Sequence, residues 1–470
     1  MIETSSISRL TSGSERPPAV VVAVQLPGVT DGELESSITE LERLAKTLGL
    51  NPIARVVQRR GKLASGVVLG EGKLVELAKW TGGTGEVPKY VRPGSKQAEA
   101  AAEAEDNAAT EDEPDPDDFG EPKDVTAKAK VVLIDHDLTP SQQHNLEIAT
   151  GVDVLDRTAV IVEIFHRHAK TREARLQVEV ARLKYVAPRL RASSGGGDRV
   201  RGGVGGKGAG ESSLELDRRR IRDRIAELRD ELARIEGGSK TRRDRRSELP
   251  TVALVGYTNA GKSSLMRALT STEVYVADKL FATLDTTVRR LVPPTEPPIL
   301  VTDTVGFIKK LPHDLVASFR STLEEAAECD LLLHIVDAAD PAHADQLAVT
   351  KEVLREIEAD QAPSWLVLNK IDRVSEAERE ILSDRYPDAI QMSAKSAGDV
   401  SALRDRLVEH FGGKIEETEL EVPWAQQRMV HAIHERTTVL SEQHDEAGTR
   451  LRVRAPANVL DSLRSELTAP

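Results

Sequence analysis

A chain of 470 residues with a net charge of −13, 3% aromatic residues and one cysteine, Cys329, is too long for a single core and cannot rest on disulfides. Domains of roughly 100–200 residues imply about three of them, and so few aromatics argue against a stacking platform for single-stranded nucleic acid. No basic-then-apolar leader opens the chain and no apolar run reaches the ~18 residues of a spanning helix, so we expect a soluble, cytoplasmic, monomeric protein without a membrane span, in part membrane-associated.

In chain order, residues 1–17 are polar and read as frayed. Ala19–Val24 is a buried-strand run, and Glu33–Leu48 is an amphipathic helix with Leu34, Ile38, Leu41 and Leu44 on one face. A strand at Ile53–Gln58, a helix at Lys73–Trp80 and strands at Lys130–Asp135 and Ala159–Phe165 complete an N-terminal α/β domain over residues 18–165. Its insertion at 94–128 is rich in Ala, Glu, Asp and Pro. Glu99–Asp124 alone carries twelve acidic residues against one lysine, too little apolar surface to offset ordering, and is expected to be disordered.

Next comes a helical hairpin, residues 166–248. Leu176, Val180, Leu183, Ala187 and Leu190 recur at helical spacing, as do Leu214, Ile221, Ile225, Leu228, Leu232 and Ile235. Arg167–Arg246 holds 23 basic against 12 acidic residues, a polyanion surface or a solvated helix pair. The joining loop, 191–213, contains nine glycines with Arg191, Arg199, Arg201 and Lys207. It is far longer than two helices need, and its glycines and cations suit close approach to phosphates.

From Pro250 strands and helices alternate as in a parallel sheet covered on both faces, giving a P-loop domain over 249–412. A small α/β appendage, 413–470, follows, with a helix at Gln426–Ser441, a strand at Arg450–Val453 and a helix at Val459–Leu467. The fold class is α/β, multidomain.

The strand Thr251–Val255 leads into Gly256-Tyr257-Thr258-Asn259-Ala260-Gly261-Lys262-Ser263 and a helix from Ser264. This is the G-x-x-x-x-G-K-[ST] pattern in its strand–loop–helix setting. Backbone N–H groups and a helix N-terminus cradle phosphates there. Lys262 is expected to reach the β/γ-phosphates, and Ser263 to bind Mg²⁺. Asp303, in Asp303-Thr304-Val305-Gly306 after a strand, is placed for the Mg²⁺ shell, with the Gly306 N–H for the γ-phosphate.

Base choice comes from Asn369-Lys370-Ile371-Asp372, delivered by the strand Trp365–Leu368. One carboxylate, Asp372, can accept both donors of the guanine edge, which adenine lacks. Ser393-Ala394-Lys395 can offer N–H to the guanine carbonyl and pack a lysine on the base or sugar. The substrate is therefore GTP, with GDP as product and ATP a weaker candidate. For the first switch, Phe281-Ala282-Thr283-Leu284-Asp285-Thr286-Thr287 offers three threonines, and spacing does not choose among them. Phe307 follows Gly306 where Ras-like proteins hold a water-orienting glutamine, so intrinsic hydrolysis should be slow and partner-stimulated. His313 and Arg320 are nearby but neither is marked as a replacement.

These residues resemble the HflX family of ribosome-associated GTPases. Asp303–Ile308, Leu311-Pro312-His313 and Phe319–Glu325 look like its second switch, and Phe281–Asp285 like its first, which favours Thr283 as Mg²⁺ ligand and places Phe281 at the nucleotide. Leu176–Glu179, Gly202–Glu211 and Asp217-Arg218-Arg219 are similar to its hairpin. Thr286, Lys207 and Ala209 stand where the family commonly has proline, arginine and proline. The resemblance spans nearly all of 18–412 and implies a GTPase on the large ribosomal subunit. The N-terminal domain and basic loop would sit on rRNA near the peptidyl-transferase centre. The implied role is splitting or rescuing stalled or idle ribosomes under stress, in some members with antibiotic resistance. A large-subunit assembly GTPase, or a nucleotide-gated RNA-binding module with negligible turnover, are the alternatives.

Overall fold

The computed structural model describes residues 16–64, 66–87, 128–190, 213–244, 249–270, 280–281, 284, 286–292, 295, 297–312, 326–412, 415–444 and 448–468. Expectations about most of the N-terminal tail, the acidic insertion, the glycine-rich loop with Arg191, Arg199, Arg201 and Lys207, and Thr283, His313 and Arg320 fall outside them. The chain forms two compact units: Met1–Ile235 with Asp278–Phe281 and Lys310–Phe319, and Glu236–Ala277 with Ala282–Lys309 and Arg320–Pro470.

In unit 1, β1 (Pro18–Gln25), β2 (Asn51–Arg59), β3 (Val131–Ile134) and β4 (Asp153–Asp156) form a parallel sheet in the order β2-β1-β3-β4. Parallel sheets are covered on both faces, and Ala19 to Gln25 of β1 are accordingly all buried. Helix α1 (Asp31–Thr47) starts at a reciprocal Thr30/Glu33 cap, and α2 (Glu71–Thr81) ends at Gly82, whose φ of 85° suits glycine. Helix α3 (Pro140–Thr150) has Pro140 in its first turn and a Thr139/Gln142 cap.

The strand expected at Ala159–Phe165 is instead part of helix α4 (Arg157–His168). Ala159 to Phe165, Glu163 included, are buried without interruption, so a run with no exposed face carries no period to separate helix from strand. The deciding feature is Asp156, whose carboxylate accepts from Ala159 N at 2.7 Å and caps the helix.

The carboxyl edge of this sheet is polar, and its buried carboxylates are paired within the unit. Asp135 accepts from Ser37 Oγ (2.6 Å), Arg157 Nη1 (2.8 Å) and Lys310 Nζ (3.1 Å). Arg157, 1% exposed, also pairs with Glu40. Burial pushes the Asp135 carboxyl up, but the charges of Arg157 and Lys310 outweigh it and hold it below its ordinary value. Asp156, fully buried, accepts from Leu138 N, Tyr185 Oη and Arg189 Nη2 besides Ala159.

The basic hairpin pairs α5 (Arg172–Val186) with α6 (Ser213–Asp244). Leu176, Val180 and Leu183 bury against Ile221 and Leu228. Arg172 pairs with Glu231 and Arg224 with Glu179, so early residues of one helix meet late residues of the other and the pair is antiparallel.

In unit 2, β5 (Thr251–Gly256), β6 (Thr287–Arg290), β7 (Leu300–Asp303), β8 (Leu331–Asp337), β9 (Ser364–Asn369) and β10 (Ile390–Gln391) form a sheet in the order β10-β9-β8-β5-β7-β6. It is parallel except for the antiparallel edge strand β6. Helices α7 (Lys262–Thr270) and α10 (Ala397–Gly412) pack on one face; α8 (His343–Glu356) packs on the other, where Cys329 is buried with its thiol on Ala326 O. Helix α9 (Glu376–Arg385) covers the ends of β8 and β9 through Leu382.

The C-terminal segment is an antiparallel sheet, β11-β13-β12, of Ile415–Pro423, Gly448–Pro456 and Thr438–His444, with α11 (Arg428–Arg436) and α12 (Ala457–Thr468) packed on it. The helix expected over Gln426–Ser441 therefore stops at Arg436. Thr437 turns extended (φ −138°, ψ 160°), and the run Thr437-Thr438-Val439 is β-branched, which favours a strand once β13 offers a partner.

Candidate nucleotide-binding site

The site lies at the carboxyl edge of the unit 2 sheet, where ligands of open α/β folds bind. Strand β5 ends at Gly256, with φ 149°, where a Cβ would lie 2.2 Å from Ile335 O. Gly261, φ 101°, would drive a Cβ to 2.2 Å from the Asn369 amide. Both positions thus require glycine.

Helix α7 starts at Lys262, 6% exposed, whose Nζ donates to Gly256 O and Tyr257 O at 2.9 Å each. Burial pushes this ammonium down to about 8, opposed by the Asp303 charge. Ser263 Oγ donates to Asp303 Oδ2 at 2.7 Å. Asp303, fully buried, is carried there by β7 and held against β5 through Thr304 Oγ1, which donates to Leu254 O. A hydroxyl and a carboxylate set side by side are hard oxygen donors of the kind Mg²⁺ takes. Among the described residues no group of three or more His, Cys, Asp or Glu is placed to hold a metal.

The stretch after Asp303 is fastened to the phosphate loop. Thr258 N donates to Phe307 O (2.7 Å), Phe307 N to Gly256 O (3.1 Å) and Lys309 N to Tyr257 Oη (2.7 Å). Gly306 is pressed so closely that a Cβ would lie 2.9 Å from Thr258 Cα and 3.0 Å from Lys262 Nζ. The Phe307 ring, 1% exposed, is buried with Ala253, Val255 and Leu332.

Asn369, at the end of β9, joins the two halves. Its amide nitrogen donates to Ala260 O (2.8 Å) and its oxygen accepts from Ala394 N (3.0 Å). Lys370, with φ 61°, donates to Asn259 O (2.7 Å) and pairs with Asp337 (2.8 Å). Ser393 Oγ donates to Asp372 Oδ1 at 2.7 Å, the main reason this carboxyl sits below its ordinary value, and accepts from Lys395 N at 3.3 Å.

So the structure brings together the loop Gly256–Ser263 with Ser264 behind it, Asp303, Gly306, Asn369, Lys370, Asp372, Ser393, Ala394 and Lys395. Phe281 belongs to unit 1, where its ring is buried edge-on against Phe165 at 4.6 Å. Sequence reasoning passed over Asp337 as the partner of Lys370, although a carboxylate ending the neighbouring strand was a usable signal. It also missed the Tyr257 hydroxyl, for which the sequence holds no signal.

Family models match three consecutive stretches. One described as GTP-binding GTPase N-terminal covers residues 35–86 and 122–166. GTP-binding GTPase Middle Region covers 168–246, and 50S ribosome-binding GTPase covers 251–370. GTPase HflX of Gluconacetobacter diazotrophicus is 56% identical over 96% of this chain and 98% of the relative. GTPase HflX of Caldanaerobacter subterraneus subsp. tengcongensis is 35% identical over 96% and 94%, and that of Escherichia coli 41% over 70% and 78%. A GTP-binding protein from Sulfolobus solfataricus, solved with GDP, is 21% identical over 83% of this chain and 98% of that one, at a TM-score of 0.40.

Proposed function

We propose that this chain, which belongs to the HflX family of GTPases, uses its GTP hydrolysis on the large ribosomal subunit to split or rescue stalled and idle ribosomes. The observation that carries the reading is the helical hairpin. Its seam is apolar and closed, while Arg218, Arg219, Arg220, Arg222 and Arg229 of α6 face solvent. A rigid basic arm, continued in sequence by Arg191, Arg199, Arg201 and Lys207, suits the phosphate backbone of rRNA.

In the nucleotide site, Lys262 and the backbone of Gly256–Ser263 would bind the phosphates and the Gly306 N–H the γ-phosphate. Asp372 would read the guanine edge, with Ala394 and Lys395 behind it and Asn369 and Lys370 holding the loops in place. Ser263 and Asp303, with Thr283 from the first switch, would hold Mg²⁺, which when bound neutralises phosphate charge. GTP and GDP would favour different arrangements of the switches, and the ribosome would bind one of them, so that hydrolysis times release.

The test is sedimentation of purified ribosomes with the full chain and GTP. Conversion of intact ribosomes to subunits is expected. Neutralising Arg199, Arg201 and Lys207 should reduce it and flatten the salt dependence of binding by about two log units per log unit of salt. Intact ribosomes throughout, with large-subunit precursors accumulating in cells that lack the protein, would move the assignment to subunit assembly.

A further inference from the structure

GTP hydrolysis needs a group to orient the attacking water, and Phe307 is not that group. Its ring lies in the core and its backbone is bonded to Gly256 and Thr258. Two groups pack directly against Gly306, whose N–H is the one expected at the γ-phosphate: Lys262 and Thr258. Its Cα and methyl carbon lie 2.9 and 3.0 Å from where a Gly306 Cβ would be, the same distance as Lys262 Nζ.

Thr258 is 7% exposed, and among the described residues its hydroxyl is buried with no hydrogen-bond partner. Buried hydroxyls are nearly always satisfied, and one left open in a phosphate-binding wall is a donor and acceptor awaiting a ligand. The two branches on the threonine Cβ exchange by one staggered step of about 120° in χ1, which sets the oxygen where the methyl now faces Gly306. The bonds from Thr258 N to Phe307 O and from Lys309 N to the Tyr257 hydroxyl hold Thr258 and Gly306 face to face.

We propose that the Thr258 hydroxyl is a catalytic residue of GTP hydrolysis, donating to a γ-phosphoryl oxygen and accepting from the attacking water. The water oxygen forms its bond to the γ-phosphorus as the bond to the β–γ bridging oxygen breaks. GDP leaves with that oxygen, the water proton passes to a phosphoryl oxygen, and Thr258 ends with its own proton. The hydroxyl thus takes over the positioning that a glutamine side chain supplies in Ras-like proteins.

The experiment is single-turnover hydrolysis of GTP by the full chain, with GDP affinity read in parallel from a fluorescent analogue. Thr258→Val keeps the shape and removes the hydroxyl; Thr258→Ser keeps the hydroxyl and removes the methyl. Valine should slow the chemical step by on the order of 100-fold, with GDP affinity within about twofold because GDP has no γ-phosphate, and serine should restore most of the rate. The proposal fails if valine hydrolyses at the parental rate. It fails equally if serine is as slow as valine, or if valine loses GDP affinity in step with turnover, since either outcome makes the side chain a packing element of the loop.

Discussion

Both units carry a mainly parallel sheet whose carboxyl edge is lined with polar side chains, yet the two edges are finished differently. In unit 1 the carboxylates are closed off by the protein itself. Asp135 takes Ser37, Arg157 and Lys310, and Asp156 takes two backbone N–H groups, Tyr185 and Arg189. In unit 2 the cationic Lys262 is turned back on carbonyls of its own loop, Thr258 has a buried hydroxyl without a hydrogen bond among the described residues, and Asp372 is exposed. Position at a sheet edge therefore does not mark a site. The two edges differ in how their charges are held: by buried ion pairs in unit 1, and by loop carbonyls or solvent in unit 2.

The contrast can be broken most severely in unit 1. Arg157→Met leaves Asp135 and Glu40 without their shared cation and should cost about 3–5 kcal/mol of unfolding free energy, read by urea denaturation, with nucleotide affinity unmoved. A change under about 1 kcal/mol would mean that the buried cluster is not the closed structural element described here. In unit 2, Lys262→Ala should leave folding intact and weaken GTP and GDP binding roughly 100-fold, or ~2.7 kcal/mol, by titration with a fluorescent nucleotide. Retained affinity would show that the loop does not bind phosphate.

Asp372→Asn should move base preference from guanine toward xanthine by roughly 10- to 100-fold, measured by competition between the two triphosphates; an unchanged ratio removes the basis for guanine. The gentlest effect is on pH. Because Asp135 ionises below its ordinary 3.8, its contribution is complete above that value and is lost as pH falls through the lower folded value. Unit 1 should thus lose stability in acid, and Arg157→Met should flatten that loss. An acid titration of the two proteins followed by circular dichroism gives the comparison, and parallel curves would exclude Asp135 as the cause.

What could be read from the chain beforehand follows the same division. That Gly256–Ser263, Asp303, Gly306, Asn369–Asp372 and Ser393–Lys395 gather at one edge was legible because each motif follows a predicted strand, and a parallel sheet gathers its strand ends. The hydrogen bonds among them were not, since Asn369 reaching both Ala260 and Ala394 depends on which strands are neighbours. The sequence does not separate helix from strand at α4 because Ala159–Phe165 is buried throughout, Glu163 included, and the Asp156 cap that settles it looks like any strand-terminal acid. Of the C-terminal sheet only the strand at Arg450–Val453 was legible; Ile415–Pro423 and Thr438–His444 are rich in polar residues and pair only once β13 is in place.

The lone thiol has a practical consequence. Cys329 is 9% exposed and burial pushes it up to about 11, so almost none of it is thiolate near neutrality. A maleimide dye would pass it by. One engineered cysteine at an exposed position of α6, such as Arg219, would then be the sole attachment point. The hairpin's encounter with a ribosome could be followed by fluorescence in a protein with every other native side chain in place.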